Sequence, residues 1–452
     1  MKIALLGFDR QGKSAFEYWQ SADNTIVICD KNPETAVPKG VSSQLGGGYL
    51  QNLDEFDLLV RTPGLHPKAI ESANPDSPNI LQKVTTVTNE FMRVCPTQNI
   101  IGVTGTKGKG TASTLIARML EQMGHRVHLG GNIGIPPLEL LHGTGLLHQE
   151  ERTETPADIK ADDWVVLELA NYQLIDIRYS PKISVCLMIT SEHLDWHTNF
   201  EEYVQAKQQL FVHQKTDDTA IFYAKSDDSR RTASCSPGNK IAYMNNEGAH
   251  IVDDQVVIDS TFICNVQDIR LLGRHNWQNV CAAITAVWQI AQDTQAIKKV
   301  VTTFSGLEHR LEYVAEIDGV NFYDDSFATA PESTIVALEA FTQPKVLIVG
   351  GSDKGALYDT LAQAVTANNV RSVICIGKTG PAIAQALRTA DFMDIVDGSD
   401  SIEGIVQTAR ENAKPGDIVL LSPSCASFDM FKNYHERGTL FKQSVKALAP
   451  TA

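Results

Sequence analysis

Positive charge is scarce in this 452-residue chain: 39 Lys and Arg stand against 54 Asp and Glu, for a formal net charge of -15. No segment gathers the clustered cations on which phosphate-backbone binding rests, so nucleic acid and anionic membranes are disfavoured as partners and only local sites remain for small anions. No apolar run approaches the roughly 18 residues of a membrane span. Asp9 and Arg10 interrupt the N-terminus too early for a signal peptide, and the cytoplasm is the expected compartment. The eight cysteines form no CxxC pair and sit in apolar contexts such as Ile28-Cys29 and Val373-Ile374-Cys375-Ile376. They read as reduced, buried fillers, which excludes a disulfide framework or a zinc site. Internal repeats and low-complexity tracts are also lacking.

What the chain does have is an alternation of short apolar strands with helical patterns from end to end, the mark of an α/β protein with mainly parallel sheets. Its length exceeds one core and suggests about three domains. Residues 1–94 open with the strand Lys2–Leu6, turn from Gly7 to Gly12 and reach a second strand, Thr25–Cys29, ending at Asp30; this predicts a Rossmann-like domain. Residues 95–304 hold the strands Trp164–Glu168 and Ile183–Ile189 and, with the glycine-rich loop at Gly105–Thr111 that they surround, predict a central P-loop ATPase-like domain. Residues 305–452, with strands Lys345–Val349, Ser372–Ile376 and Asp417–Leu421, predict a second Rossmann-like domain. The polar stretch His148 to Asp163 reads as a surface excursion.

One segment carries most of the chemistry. The apolar run Ile100-Ile101-Gly102-Val103 leads into Thr104-Gly105-Thr106-Lys107-Gly108-Lys109-Gly110-Thr111, and Ala112 to Leu120 then has helical spacing. This is the strand, loop and helix order of a phosphate loop. Glycines let successive backbone N–H groups turn toward one anion, the helix N-terminus adds positive potential, and Lys109 supplies a point charge. Thr111 is placed to ligate magnesium, and ATP is the leading ligand. An ordinary Gly-rich turn would not explain two lysines interleaved with three glycines.

Other residues gather meaning beside that loop. Glu168 ends one strand, and Thr190-Ser191-Glu192-His193-Leu194-Asp195-Trp196-His197 follows the next, where hard oxygen donors and an imidazole suit divalent cations. Alone, the His-x-Asp-x-His pattern would read as a surface loop. Asn276 and Asn279, at the start of a helix expected over Val280 to Ile290, are either N-terminal caps or amides that read an adenine edge. Arg310, in Glu308-His309-Arg310-Leu311-Glu312, can reach a phosphate. Asp325, in Phe322-Tyr323-Asp324-Asp325-Ser326-Phe327-Ala328-Thr329-Ala330-Pro331, can reach a ribose or a metal-bound water.

In this order, and with the run Leu420-Leu421-Ser422-Pro423-Ser424-Cys425-Ala426-Ser427-Phe428-Asp429-Met430-Phe431-Lys432-Asn433-Tyr434-His435-Glu436-Arg437-Gly438, the chain resembles the Mur ligase family of ATP-dependent amide-forming enzymes over nearly its whole length. The resemblance is strongest to the branch that adds D-glutamate to UDP-N-acetylmuramoyl-L-alanine in peptidoglycan precursor synthesis. It implies ATP held by Gly105, Thr106, Lys107, Gly108, Lys109, Gly110 and Thr111 with Asn279, Arg310 and Asp325. Two magnesium ions are implied at Thr111, Glu168, His193 and Lys207, with Lys207 carbamylated into a carboxylate-like group; without the resemblance Lys207 would read as a solvated helix lysine. Lys109, Lys207, His193 and Asp325 are the implied catalytic set. The UDP-sugar would meet Gly12, Asp30, Thr62-Pro63-Gly64 and Gly131-Asn132-Ile133-Gly134, and glutamate would meet Thr329, Lys354, Ser427 and Tyr434. Only small-molecule partners, a monomer, and domain closure on ATP binding are expected.

Four positions depart from that branch. Gly110 replaces a usual serine, Asp9 a glycine of the first turn, Ala170-Asn171 a pair of serines, and Phe327 a lysine close to the glutamate carboxylates. The loop GTKGKGT resembles that of folylpolyglutamate synthases, and a phenylalanine cannot pair with an anion. A folylpolyglutamate synthase, an L-glutamate-adding ligase and a nucleotide-binding regulator without catalysis therefore stay as alternatives.

Overall fold

The computed structural model describes residues 1–132, 134–141, 158–271, 273–352 and 356–448. The chain forms two compact units, one of residues 1–269 with 274–303 and one of residues 270–273 with 304–452.

The first unit contains two parallel sheets. Strands β1 (Lys2–Leu6), β2 (Thr25–Asp30), β3 (Ser42–Leu45), β4 (Leu58–Arg61) and β5 (Val84–Thr85) lie in the order β3-β2-β1-β4-β5. Strands β6 (Ile100–Thr104), β7 (Val127–Gly131), β8 (Trp164–Glu168), β9 (Ile183–Cys186), β10 (Thr219–Tyr223) and β11 (Asn239–Tyr243) lie in the order β11-β10-β9-β6-β8-β7. An antiparallel ribbon, β12 (His250–Val252), β13 (Gln255–Ile258) and β14 (Thr261–Asn265), follows. Strand β1 is buried on both faces, as a central parallel strand should be. Its Ala4 and Leu6 pack into one core with Leu59 and Ile70. Its Ile3 and Leu5 enter another that also contains Leu138, Leu140, Val165 and Leu167, so the two sheets of this unit share one continuous core.

In the second unit, strands β15 (Glu312–Ile317), β16 (Val320–Asp324), β17 (Lys345–Gly350), β18 (Val370–Ile376), β19 (Ile395–Asp397) and β20 (Ile418–Leu421) lie in the order β15-β16-β20-β17-β18-β19. Within this sheet, only the β15–β16 pair is antiparallel among the described strands. Leu347 and Val349 face one core while Val346 and Ile348 face the other. The alternation of side chains along β17 therefore fills both faces of the sheet. The α/β class with mainly parallel sheets is as the sequence predicts.

Local differences have local causes. Strand β9 stops at Cys186 rather than Ile189, because the chain there turns to meet Gly105: Leu187 N–H donates to Thr104 O and Thr106 N–H to Met188 O, both at 2.9 Å. The helix expected from Val280 begins at Arg274. Of the stretch His148 to Asp163, residues 148–157 lie outside the described residues; Asp158, Lys160, Ala161 and Asp162 are exposed as expected, whereas Asp163 is buried and accepts from His128 Nε2 at 2.8 Å and Lys160 N at 2.8 Å. All eight cysteines are free and seven are buried, with Cys235 the exposed exception. No described helix is long and apolar enough to cross a membrane.

Candidate active site

Strand β6 delivers the phosphate loop at the carboxyl end of the central sheet, where ligands of such sheets gather. Gly105 (φ +147°) leaves the strand against Leu187, and a Cβ on it would lie 2.6 Å from the Leu187 Cβ. Gly108 (φ +85°) begins the helix Lys109–Gln122, and a Cβ there would lie 2.2 Å from Asn279 Oδ1. Both conformations favour glycine. The lysine folds back over the loop: Lys109 Nζ donates to Gly105 O at 3.1 Å and Thr106 O at 2.9 Å. Thr106 Oγ1 donates to Thr190 O at 3.0 Å, accepts from Thr190 N at 2.9 Å and lies 2.9 Å from the Tyr203 hydroxyl. Lys107 pairs with Glu192. The loop is thereby fastened to the segment that carries His193.

Asn276 and Asn279 lie inside the helix Arg274–Trp288, so neither is its cap. Asn279 Nδ2 donates to Asn276 Oδ1 at 2.9 Å, and its amide rests against Gly108. Of the two alternatives, the structure leaves an amide beside the phosphate loop.

Three of the residues expected to hold magnesium meet around this loop. Glu168 pairs in register with Val103 and is buried. Its Oε1 accepts from Asn132 Nδ2 at 2.9 Å, and its carbonyl accepts from Asn132 N at 2.8 Å. An expected sugar-nucleotide residue and an expected metal ligand are therefore bonded to each other, a link across 36 residues that no spacing reveals. His193 sits at φ +59° with its ring 4.9 Å from Tyr172. Burial, with Lys109 and Lys207 nearby, pushes its pKa down against the pull of Glu192, which favours a neutral imidazole with a free lone pair. Lys207 is fully buried on the helix Phe200–Val212, not solvated. Its Nζ donates to Gly105 O at 2.9 Å and lies 4.4 Å from the Tyr203 ring centroid. Burial first, and then the charge of Lys109, push its pKa down to about 7. Glu168 and Thr111 offer the hard oxygens that magnesium takes, whereas Lys207 fits beside a cation only once its amine has become an anion.

The turn after β1 is built tightly. A Cβ on Gly12 would lie 2.2 Å from Gly7 O, and one on Gly7 would lie 2.2 Å from Thr62 Oγ1, which itself donates to Leu6 O at 2.9 Å. Asp30 Oδ2 accepts from Phe8 N at 2.7 Å. Asp9 caps the helix Arg10–Trp19, its Oδ1 accepting from Gln11 N and Gly12 N at 3.1 Å each. Thr62, Gly12 and Asp30 thus shape the turn, while a cavity of about 230 Å³ is lined by Asp9, Arg10, Gln11, Pro63, Asn132 and Gly134. Arg10 is a cation in this cavity that the sequence reading missed. Gly64 O accepts from Trp196 Nε1 at 3.1 Å. Ile133 lies outside the described residues.

In the second unit, Asp325 follows β16. Its Oδ2 accepts from Ser422 Oγ at 2.7 Å and its Oδ1 from Leu311 N at 3.2 Å. Burial raises its pKa to about 7, with Asp324 adding to the rise and Arg310 opposing it. The Arg310 guanidinium lies 3.9 Å from the Phe327 ring centroid, and Phe327 meets Tyr434 at 5.0 Å with perpendicular rings. Ser427 is buried near the start of the segment leading to the helix Tyr434–Ala447, and Thr329 follows Phe327 by two positions. Lys354 lies outside the described residues. The sequence reading also missed Arg437, fully buried, whose Nε donates to Ser326 Oγ at 2.9 Å and whose terminal nitrogens donate to Cys425 O at 3.2 Å.

Comparison with known proteins adds the following. Residues 103–287 match the Mur ligase middle domain, and residues 309–425 match the Mur ligase glutamate ligase domain. The UDP-N-acetylmuramoylalanine–D-glutamate ligase of Acetivibrio thermocellus is 37% identical, covering 99% of this chain and 96% of its own. Among solved structures, UDP-N-acetylmuramate-alanine ligase MurC from Thermotoga maritima aligns with a TM-score of 0.58 at 13% identity, over 99% of this chain and 100% of that one. MurF ligase from Thermotoga maritima in complex with ADP aligns with a TM-score of 0.57 at 15% identity, over 99% of this chain and 95% of that one.

Proposed function

The chain belongs to the Mur ligase family, and from that premise we infer that it is an ATP-dependent, ADP-forming ligase that adds D-glutamate to UDP-N-acetylmuramoyl-L-alanine in peptidoglycan precursor synthesis. The observation that carries the reading at the level of geometry is the pair of lysines, Lys109 and Lys207, on the one carbonyl of Gly105 inside a phosphate loop.

The chemistry activates a poor electrophile. A substrate carboxylate attacks the γ-phosphorus of ATP, ADP leaves, and an acyl phosphate results. The glutamate amine then attacks the acyl carbon, loses a proton, and inorganic phosphate departs with the C–O bond electrons. Two anions must approach each other in the first step, so cations that converge on the phosphoryl group lower its barrier. Lys109 and Arg310 are assigned that task. Bound magnesium would neutralise phosphate charge, held by Glu168, Thr111, His193 and a carbamate on Lys207. Lys207 favours this modification because a fully buried amine in the free-base form is the nucleophile that carbon dioxide requires. Asn279 is assigned to the nucleotide, and Asp325 to the nucleotide or to its bound water. The turn with Gly12 and Asp30, the segment Thr62-Pro63-Gly64 and Asn132 are assigned to the UDP-sugar, and Thr329, Lys354, Ser427 and Tyr434 to glutamate. Residues 1–94, 95–304 and 305–452 would then serve sugar nucleotide, ATP and glutamate respectively, in a monomeric cytoplasmic enzyme.

A phosphate-release assay with each substrate omitted in turn tests the reading. Release that requires ATP, UDP-N-acetylmuramoyl-L-alanine and D-glutamate together is the expected result. Release with a folate in place of the sugar nucleotide, a clear preference for L-glutamate, or no release at all would overturn it.

A further inference from the structure

Two imidazoles of the first unit converge on one carboxylate without bonding to it. His66 caps the helix Pro67–Ala73, His197 lies in the segment after β9, and Glu202 stands in the first turn of the helix Phe200–Val212. His66 Nε2 and His197 Nδ1 are both shut off from solvent, and neither has a hydrogen-bond partner among the described residues. Each lies 3.6 Å from Glu202 Oε2, beyond hydrogen-bond range, and one donor atom of each residue lies within 4.8 Å of the other two. The His197 side chain has no exposed surface, and those of His66 and Glu202 keep 15% and 16%. Buried polar atoms are nearly always paired, so two orphans aimed at a single carboxylate oxygen point to a ligand between them.

The donor set and its surroundings suit a cation. An ion centred among three atoms so spaced lies about 2.4 Å from each at most, so shifts of a few tenths of an ångström reach the roughly 2.0–2.2 Å of zinc bonds to imidazole and carboxylate. Burial pushes the pKa of both rings down against the pull of Glu202, which keeps them neutral. Glu202 Oε2 accepts from Thr198 N at 2.7 Å and retains a second lone pair, while Lys68 pairs with the other carboxylate oxygen. Asn171 meets His197 Nε2 at 2.8 Å, and with its amide oxygen turned to the ring it accepts the Nε2 proton and leaves the Nδ1 lone pair for a metal. His66 Nδ1 accepts from Lys68 N at 3.1 Å; ligation through Nε2 moves the ring proton to Nδ1, and this exposed N–H turns to water instead. The Trp196 ring covers both imidazoles, 4.4 Å from His66 and 4.7 Å from His197 between centroids, and lowers the local dielectric. Magnesium takes oxygen donors, whereas two imidazoles and one carboxylate suit zinc and its first-row neighbours.

We propose that His66, His197 and Glu202 form a binding site for a divalent first-row metal ion such as zinc, sharing no ligand with the magnesium positions assigned around the phosphate loop. His66 stands two positions beyond Gly64 and His197 four beyond His193, so one ion fastens together the segments assigned to the sugar nucleotide and to magnesium. The site needs no step of the proposed reaction and stands or falls apart from it. Zinc chloride titrated into chelator-treated full-length protein in excess magnesium tests it, read by calorimetry in the wild type, His66→Gln, Glu202→Gln and His193→Gln. An equivalent of zinc should bind the wild type and persist in His193→Gln. Each of the other two variants should weaken it by about tenfold or more, since loss of an outer-shell partner alone costs that much. Retained affinity for a non-hydrolysable ATP analogue shows that a variant is folded. Where one is not, anomalous scattering from zinc in crystals of the wild-type protein decides, with the ion expected in bonding distance of His66 Nε2, His197 Nδ1 and Glu202 Oε2. No zinc uptake by the wild type, unchanged affinity in either folded His66→Gln or Glu202→Gln, loss of zinc in His193→Gln, or an ion found only at other residues would overturn the proposal.

Discussion

Lys207 is the residue whose environment departs furthest from its ordinary chemistry. A lysine with no exposed surface, resting on a carbonyl and a ring face, is costly as an ammonium, and the nearby charge of Lys109 makes it costlier. Neutral or carbamylated, it relieves that cost. Lys207→Ala is expected to lose most turnover, since the carbamate would vanish, and to regain part of it with added formate or acetate, which can enter the space left behind. Phosphate release that is undiminished in the variant would reject the carbamate, and a loss that no short carboxylate relieves would leave Lys207 a positioning cation only. The burial of this residue had a signal in the sequence. Tyr203, Lys207 and Phe211 recur every four residues, and on a helix such positions share one face. Both aromatic residues are buried, and the lysine between them is buried with them. Phe327, by contrast, was visible as a departure in composition, yet its contact with Arg310 spans 17 positions and follows no periodicity.

At the scale of elements, the phosphate loop was legible because strand, glycines, lysine and helix are contiguous, and local chemistry dictates them. The segment after β9 was less so. His197, four residues past His193, is 2% exposed and its Nδ1 has no hydrogen-bond partner among the described atoms. Its Nε2 meets Asn171 Nδ2 at 2.8 Å, while Glu202 Oε2 stands 3.6 Å from Nδ1 and an equal 3.6 Å from His66 Nε2. Lys68 pairs with the same Glu202. Burial pushes the His197 pKa down to about 4, with the charges of His66 and Lys207 lowering it further and Glu202 opposing them. Below the unfolded imidazole value of about 6.5 the unfolded chain takes up a proton that the folded chain refuses. The stability that His197 contributes is therefore present above that pH and is lost as pH falls toward 4. Urea midpoints measured between pH 7.5 and 4.5 should fall with pH, and His197→Gln should flatten the decline. An unchanged slope in that variant would show that His197 carries none of it.

For the molecule as a whole, the α/β class with mainly parallel sheets could be anticipated because strands and helices alternate along the chain, whereas the strand order and the joining of the first two sheets could not. Hydrophobic periodicity reports which face of an element is buried, not which distant element buries it. The first unit is one body because Ile3 and Leu5 share a core with Val165 and Leu167, and because Arg61, at the end of β4, reaches Asp176 across 115 positions. That arginine has no exposed surface. Its Nε and one terminal nitrogen donate to the two Asp176 oxygens at 2.9 and 2.6 Å, and its other donors satisfy the carbonyls of Leu65 at 2.7 Å and Tyr172 at 3.0 Å. The carbonyl of Leu65 belongs to the loop that begins at Thr62, and that of Tyr172 to the short helix just after Glu168. Arg61 therefore ties the expected sugar-nucleotide loop to the central sheet, beside the bond from Trp196 Nε1 to Gly64 O. Breaking such a buried pair leaves an uncompensated carboxylate and stranded carbonyls, so Arg61→Met should cost about 3 kcal/mol in urea unfolding of the first unit. Asp176→Asn keeps the carbonyl bonds and one acceptor and should cost less than half as much. Equal losses in the two variants would mean that the ion pair alone matters and that the loop is held by other contacts. The expected ordering, with a raised KM for the UDP-sugar only in Arg61→Met, would make the arginine the link through which the stability of this unit and the shape of its substrate loop depend on each other.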